Sequence, residues 1–71
     1  MAAVIGEELR IEGYSLAGAL VCPAESREQA AAAWKSLPPD TCMLIMTPNA
    51  AHWLTDELGQ RPELLTAVMR P

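Results

Sequence analysis

Four short apolar runs mark out the chain, and polar or amphipathic stretches separate them. Ala2–Ile5 and Cys42–Met46 are hydrophobic without alternation, the pattern of strands buried on both faces. Ala19–Cys22, closed by Pro23, and Leu64–Met69 complete a set of four predicted strands. After the first run, Glu7–Leu16 predicts a weak helix: Leu9, Ile11, Gly13, Tyr14 and Leu16 form a rough stripe, and Glu7 and Glu8 suit its positive N-terminal end. Ser26-Arg27-Glu28-Gln29 is a capping box that opens a second helix, predicted to run to about Leu37 with Ala30, Ala33, Trp34 and Leu37 on one face. Pro38-Pro39 blocks its continuation. A third helix starts at Thr47-Pro48, with a hydroxyl cap followed by proline at the first helical position. It is expected to turn Ala50, Ala51, Leu54 and Leu58 inward and to end at Gly59.

Strands alternating with capped helices make β-α-β units, so the expected architecture is α/β, a parallel sheet with right-handed crossovers and flanking helices. The first and third strands are the most apolar and belong in the middle. The predicted strand order is therefore 2-1-3-4, the flavodoxin-like arrangement in which the crossover reverses after the second strand. Residues 1–71 are read as a single small domain without internal repeat or linker.

Composition narrows this picture. A chain of 71 residues buries only about 60% of its unfolded surface. Its core must come from small aliphatics, because hydrophobic residues are 51% of the total while aromatics are 4% and Phe is absent. The net charge is −4, and Arg10, Arg27, Lys35, Arg61 and Arg70 are scattered, leaving no basic stripe for nucleic acid. Ala2–Ile5 is too short for the apolar region of a signal peptide, and no run approaches the roughly 18 apolar residues of a membrane span. A cytoplasmic location is expected, with any membrane association made through partners.

Candidate chemistry is sparse. Cys22 closes the second strand and Cys42 opens the third, so in a parallel sheet they lie at opposite ends, separated by a strand's length of about 13 Å, too far for a disulfide, and are expected to be buried free thiols. His52 has one carboxylate, Asp56, four residues on, short of the three or four ligands that zinc takes. Gly6 and Glu7 follow the first strand, where doubly wound folds bind nucleotides. Two glutamates replace the glycine-rich cradle and would repel a pyrophosphate. A phosphate-accepting receiver domain would need an aspartate at the end of the third strand, which here reads Met46-Thr47-Pro48. One histidine without an anchored partner makes no triad. No catalytic residue, cofactor or metal is therefore assigned. Trp34 lies on an apolar stripe and is expected in the core. Trp53 falls beside one, half-covered, and is a candidate interface anchor.

The segment Ala3-Val4-Ile5-Gly6, followed at fixed distance by Gly13-Tyr14-Ser15-Leu16-Ala17-Gly18, resembles the F subunit of the rotary V-type/A-type ATPases. The resemblance rests on Ile5, Gly6, Gly13, Tyr14, Leu16, Ala17 and Gly18, and more loosely on the order of elements as far as Pro71. It implies a CheY-like or Rossmann-like domain that serves as a non-catalytic component of the central stalk, placed beside the coiled-coil rotor component (the D subunit), and couples or regulates ATP hydrolysis or synthesis with ion transport. Members of that family continue past the fourth strand into a helical segment, whereas this sequence stops at Arg70-Pro71, so the resemblance implies a short form. The alternative is a stand-alone protein- or ligand-binding domain of receiver-like fold without phosphotransfer chemistry. On either view the apolar, unguarded fourth strand lies at a sheet edge, which makes a homodimer a further expectation.

Overall fold

A computed structural model describes residues 1–70, with the backbone alone for Ser15, Leu16 and Ala17. Its strands are β1 (Ala2–Gly6), β2 (Leu20–Pro23), β3 (Met43–Met46) and β4 (Leu65–Val68), and its helices are α1 (Glu8–Ile11), α2 (Arg27–Lys35) and α3 (Pro48–Trp53). Two 3-10 segments, Glu12–Ala17 and Leu58–Gln60, complete the order. All neighbouring strands are parallel, in the order β2-β1-β3-β4.

Register decides what each face of the sheet carries. Ala3 and Ile5 of β1 stand beside Leu44 and Met46 of β3, and beside Leu20 and Cys22 of β2. On this face α2 contributes Ala30, Trp34 and the following Leu37, and α3 contributes Ala50 and the following Leu54, closing one buried cluster. The opposite face has less cover. There Val4 and Ile11 are buried, with α1 lying over β1 and β2. Across β3 and β4 that face presents Met43 beside Leu65 and Ile45 beside Ala67, with no helix of the described residues packed on them.

The local signals at the helix starts work as expected. The Ser26 hydroxyl accepts from the Gln29 amide at 3.2 Å, while the Gln29 side chain reaches back to the amide of Glu25, one residue before the cap, at 2.7 Å. The Thr47 hydroxyl accepts from the Ala50 amide at 3.3 Å, with Pro48 in the first turn.

Several boundaries differ from expectation. The first helix is a single α turn that tightens at Glu12 into a 3-10 segment. Leu9 points to solvent, and only Ile11 of the α turn is buried. A stripe carrying a glycine gives too little apolar surface to hold a longer helix on the sheet. The third helix ends at Trp53 rather than at Gly59. The Thr55 hydroxyl bonds to the carbonyls of Ala51 and His52, at 3.2 and 2.9 Å, and turns the chain out of the α path. Gly59 then lies inside a 3-10 segment without positive φ, so it is not a left-handed helix cap. The cysteines are free, but not buried as expected: Cys22 is half-buried and Cys42 exposed, its sulfur 3.3 Å from the Met1 amino group. Cys42 lies just before β3, at the N-terminal end of the sheet, beside the exposed Met1.

Candidate functional site

In sheets of this order a ligand enters at the C-terminal edge between β1 and β3, where the crossovers diverge. Here that position is occupied by the chain itself. β1 ends at Gly6, packed so closely on Thr47 that a β-carbon on the glycine would lie 2.3 Å from the threonine methyl. The close approach delivers Glu7 to the start of α3. The Thr47 hydroxyl donates to one carboxylate oxygen of Glu7 at 2.5 Å, and the Asn49 amide donates to the other at 3.0 Å. These bonds, the one from Thr47 foremost, outweigh partial burial, and with the nearby Arg10 guanidinium they hold the Glu7 carboxyl below its ordinary range.

A second carboxylate takes the amide that opens α1. The Glu8 N–H donates to the Glu25 side chain at 2.8 Å. A phosphate arriving at this edge would meet the negative charges of Glu7 and Glu25 and compete with them for the same donors. Arg10, on the last turn of α1, donates from Nη2 to the carbonyl of Arg70 at 2.5 Å, which commits this guanidinium to the end of β4. Among the described residues no group of three or more His, Cys, Asp or Glu side chains is placed to hold a metal ion.

The residues singled out in the sequence separate into distinct roles. Ile5 is fully buried in the α2/α3 cluster, and Gly6 is needed for the approach to Thr47. Gly13 sits in the 3-10 segment with open space where a β-carbon would stand. Gly18 has φ +83°, the left-handed conformation that releases the chain from that segment into β2. Tyr14 is half-buried; the side chains of Leu16 and Ala17 lie outside the described residues. The motif is thus split: Ile5 and Gly6 shape the C-terminal edge, while Gly18 shapes a corner. Trp34 is buried and its indole N–H donates to the Gln60 side chain at 3.3 Å. Trp53 is half-buried against the core, and its carbonyl accepts from Arg27 at 3.5 Å.

Two features went unread in the sequence. One is the Glu7–Thr47–Asn49 contact, signalled only by the rule that strand order 2-1-3-4 brings the ends of β1 and β3 together. The other is the bare strip of Met43, Ile45, Leu65 and Ala67. Met43 is 37% exposed and Leu65 is 65% exposed. Two strands spaced about 4.8 Å apart offer a strip roughly 10 Å wide, which is about the diameter of one α-helix with its side chains. No helix among the described residues is long and apolar enough to cross a membrane. No protein-family model matches the chain, and neither does any curated protein or solved structure.

Proposed function

We propose that this chain is a non-catalytic docking module that takes a helical partner on the bare half of its sheet, and that it serves as the small stalk component of a rotary V-type/A-type ATPase. Its partner would be a coiled-coil rotor component, and its work the coupling or regulation of ATP hydrolysis or synthesis with ion transport. The observation that carries the docking role is the one-helix-wide apolar strip over β3 and β4, with Met43, Ile45, Leu65 and Ala67 as its floor. The occupied C-terminal edge adds support, because Glu7 and Glu25 fill the place where a nucleotide phosphate would sit. The rotary assignment within that role rests on the Ile5-Gly6 and Gly13–Gly18 resemblance.

The test pairs a pull-down against the coiled-coil rotor component encoded in the same genome with calorimetry against Mg-ATP. The expected result is binding at micromolar strength or better and no heat from nucleotide. Leu65→Asp should weaken the complex at least about tenfold by placing a charge in the apolar strip. Binding to unrelated amphipathic helices but not to the rotor coiled coil would keep the docking role and overturn the rotary one. Heat from Mg-ATP would overturn both.

A further inference from the structure

We infer that the outer edge of β4 is a self-association surface, on which a second copy of this chain pairs antiparallel and joins the two four-stranded sheets across a two-fold axis. The surface is the hydrogen-bonding edge of β4, whereas the strip described above is the face of β3 and β4, and the inference does not depend on the rotary-stalk proposal.

The hydrogen-bonding groups of the edge are defined by the inner ladder. The Leu65 N–H donates to the Cys42 carbonyl at 3.1 Å, and the Met69 N–H to the Met46 carbonyl at 2.8 Å. Backbone direction alternates along a parallel strand, so Thr66 and Val68 turn their N–H and C=O groups away from β3. All four β4 residues are exposed, Val68 by 55%. The strand itself carries no guard: from Leu64 to Met69 there is no charge and no proline. The other edge strand, β2, ends in Pro23, which has no N–H to offer.

Charge selects the occupant and its direction. Glu63 stands just before β4 and Arg70 just after it, and both are exposed. An antiparallel second copy brings each Glu63 toward the Arg70 of the other chain. A parallel copy would set like against like. The antiparallel contact is also self-complementary and closes at two chains.

Register follows from the same alternation, since outward-facing residues must meet outward-facing residues. Thr66 then exchanges main-chain bonds with Val68 of the second copy, and Val68 with its Thr66. Ala67 falls on the axis, where a pair without hydrogen bonds approaches to about 4.5 Å between α-carbons and a small side chain fits. Leu64 lies opposite Arg70 of the second copy, with Glu63 one residue further out. The Arg10 bond to the Arg70 carbonyl already fixes this end of the strand.

The experiment is sedimentation of the whole chain from roughly 1 µM to 1 mM. A monomer–dimer equilibrium that stops at two copies is expected. Thr66→Pro removes an outward N–H and no bond to β3. It should raise the dissociation constant at least about tenfold while the far-ultraviolet circular dichroism stays unchanged. Glu63→Arg and Arg70→Glu should each raise it several-fold, and the double exchange should bring it back toward the starting value. Both charge positions lie outside the strand, so this arm does not rely on a proline variant folding. A monomer throughout the range, growth past the dimer, a dimer indifferent to Thr66→Pro in a folded protein, or no recovery in the double exchange would each overturn the inference.

Discussion

Gly6 and Thr47 interlock: a β-carbon on the glycine would stand 2.3 Å from the threonine γ-methyl and 2.8 Å from its hydroxyl oxygen. Thr47 is fully buried and caps α3, so it has little room to give way. Gly6→Ala should therefore destabilise the fold by about 1–3 kcal/mol, the range for overpacking. Adding Thr47→Ser removes the methyl and keeps the capping oxygen. The double variant should regain part of the lost melting temperature; equal melting of wild type and Gly6→Ala would contradict the interlock.

Stability should fall in acid in a way that Glu7 accounts for in part. Its carboxyl titrates lower in the folded chain than in the unfolded one, chiefly because Thr47 donates to the charged form. Such a group contributes its full share of stability above the unfolded value of about 4.3. The share declines as pH drops through that value and is gone below the lowered folded one. Glu7→Gln should be less stable than wild type at pH 7 and should flatten the loss below about pH 5. Denaturant titrations at neutral and acidic pH check this; parallel curves for the two proteins would contradict it.

The two glycines of the hexapeptide should behave oppositely. Gly18 has φ +83°, where an L side chain is strained, so Gly18→Ala should cost about 1 kcal/mol or more. Gly13 has no positive φ, and an added β-carbon there would meet nothing within 4 Å. Gly13→Ala should be neutral or stabilising by about a few tenths of a kcal/mol. Thermal melts of the two variants separate them directly.

The thiols should react in two phases with a disulfide reagent. Cys42 is exposed, whereas Cys22 is half-buried and desolvation pushes its thiol pKa up. Less thiolate and less access both slow Cys22, and its rate should keep rising at pH values above the ordinary thiol range of about 8.5. Cys42→Ser should remove the fast phase and leave the slow one. A single phase in the wild type would contradict the assignment.

How far the sequence carries depends on how local each determinant is. The Ser26–Gln29 and Thr47–Ala50 caps are legible because donor and acceptor lie three residues apart. The strand order is legible because only the two most apolar runs, around Val4 and Leu44, can occupy the middle of the sheet. The early end of α3 is harder to read. Thr55 sits on a helical pattern yet bonds back to Ala51 and His52, a competition that propensity does not resolve. The Glu7–Asn49 bond spans 42 positions, and no pattern within either segment announces it. Likewise, the uncovered state of Ile45 and Ala67 follows from where the crossing helices fall; the residues themselves read as ordinary strand.

Strand direction also sets how the domain would bear load. β1, β3 and β4 run the same way with β3 between the other two, so Met1 lies at one end of the strands and Arg70 at the opposite end. Tension applied at these two points acts along the strands. It shears both ladders, so their bonds resist together instead of opening one at a time. Arg10 adds a tie at the loaded end by gripping the Arg70 carbonyl. Forced rupture is governed by the unfolding barrier rather than by equilibrium stability. A domain with a small core can therefore be thermally modest and still hold firm under a pull between its ends.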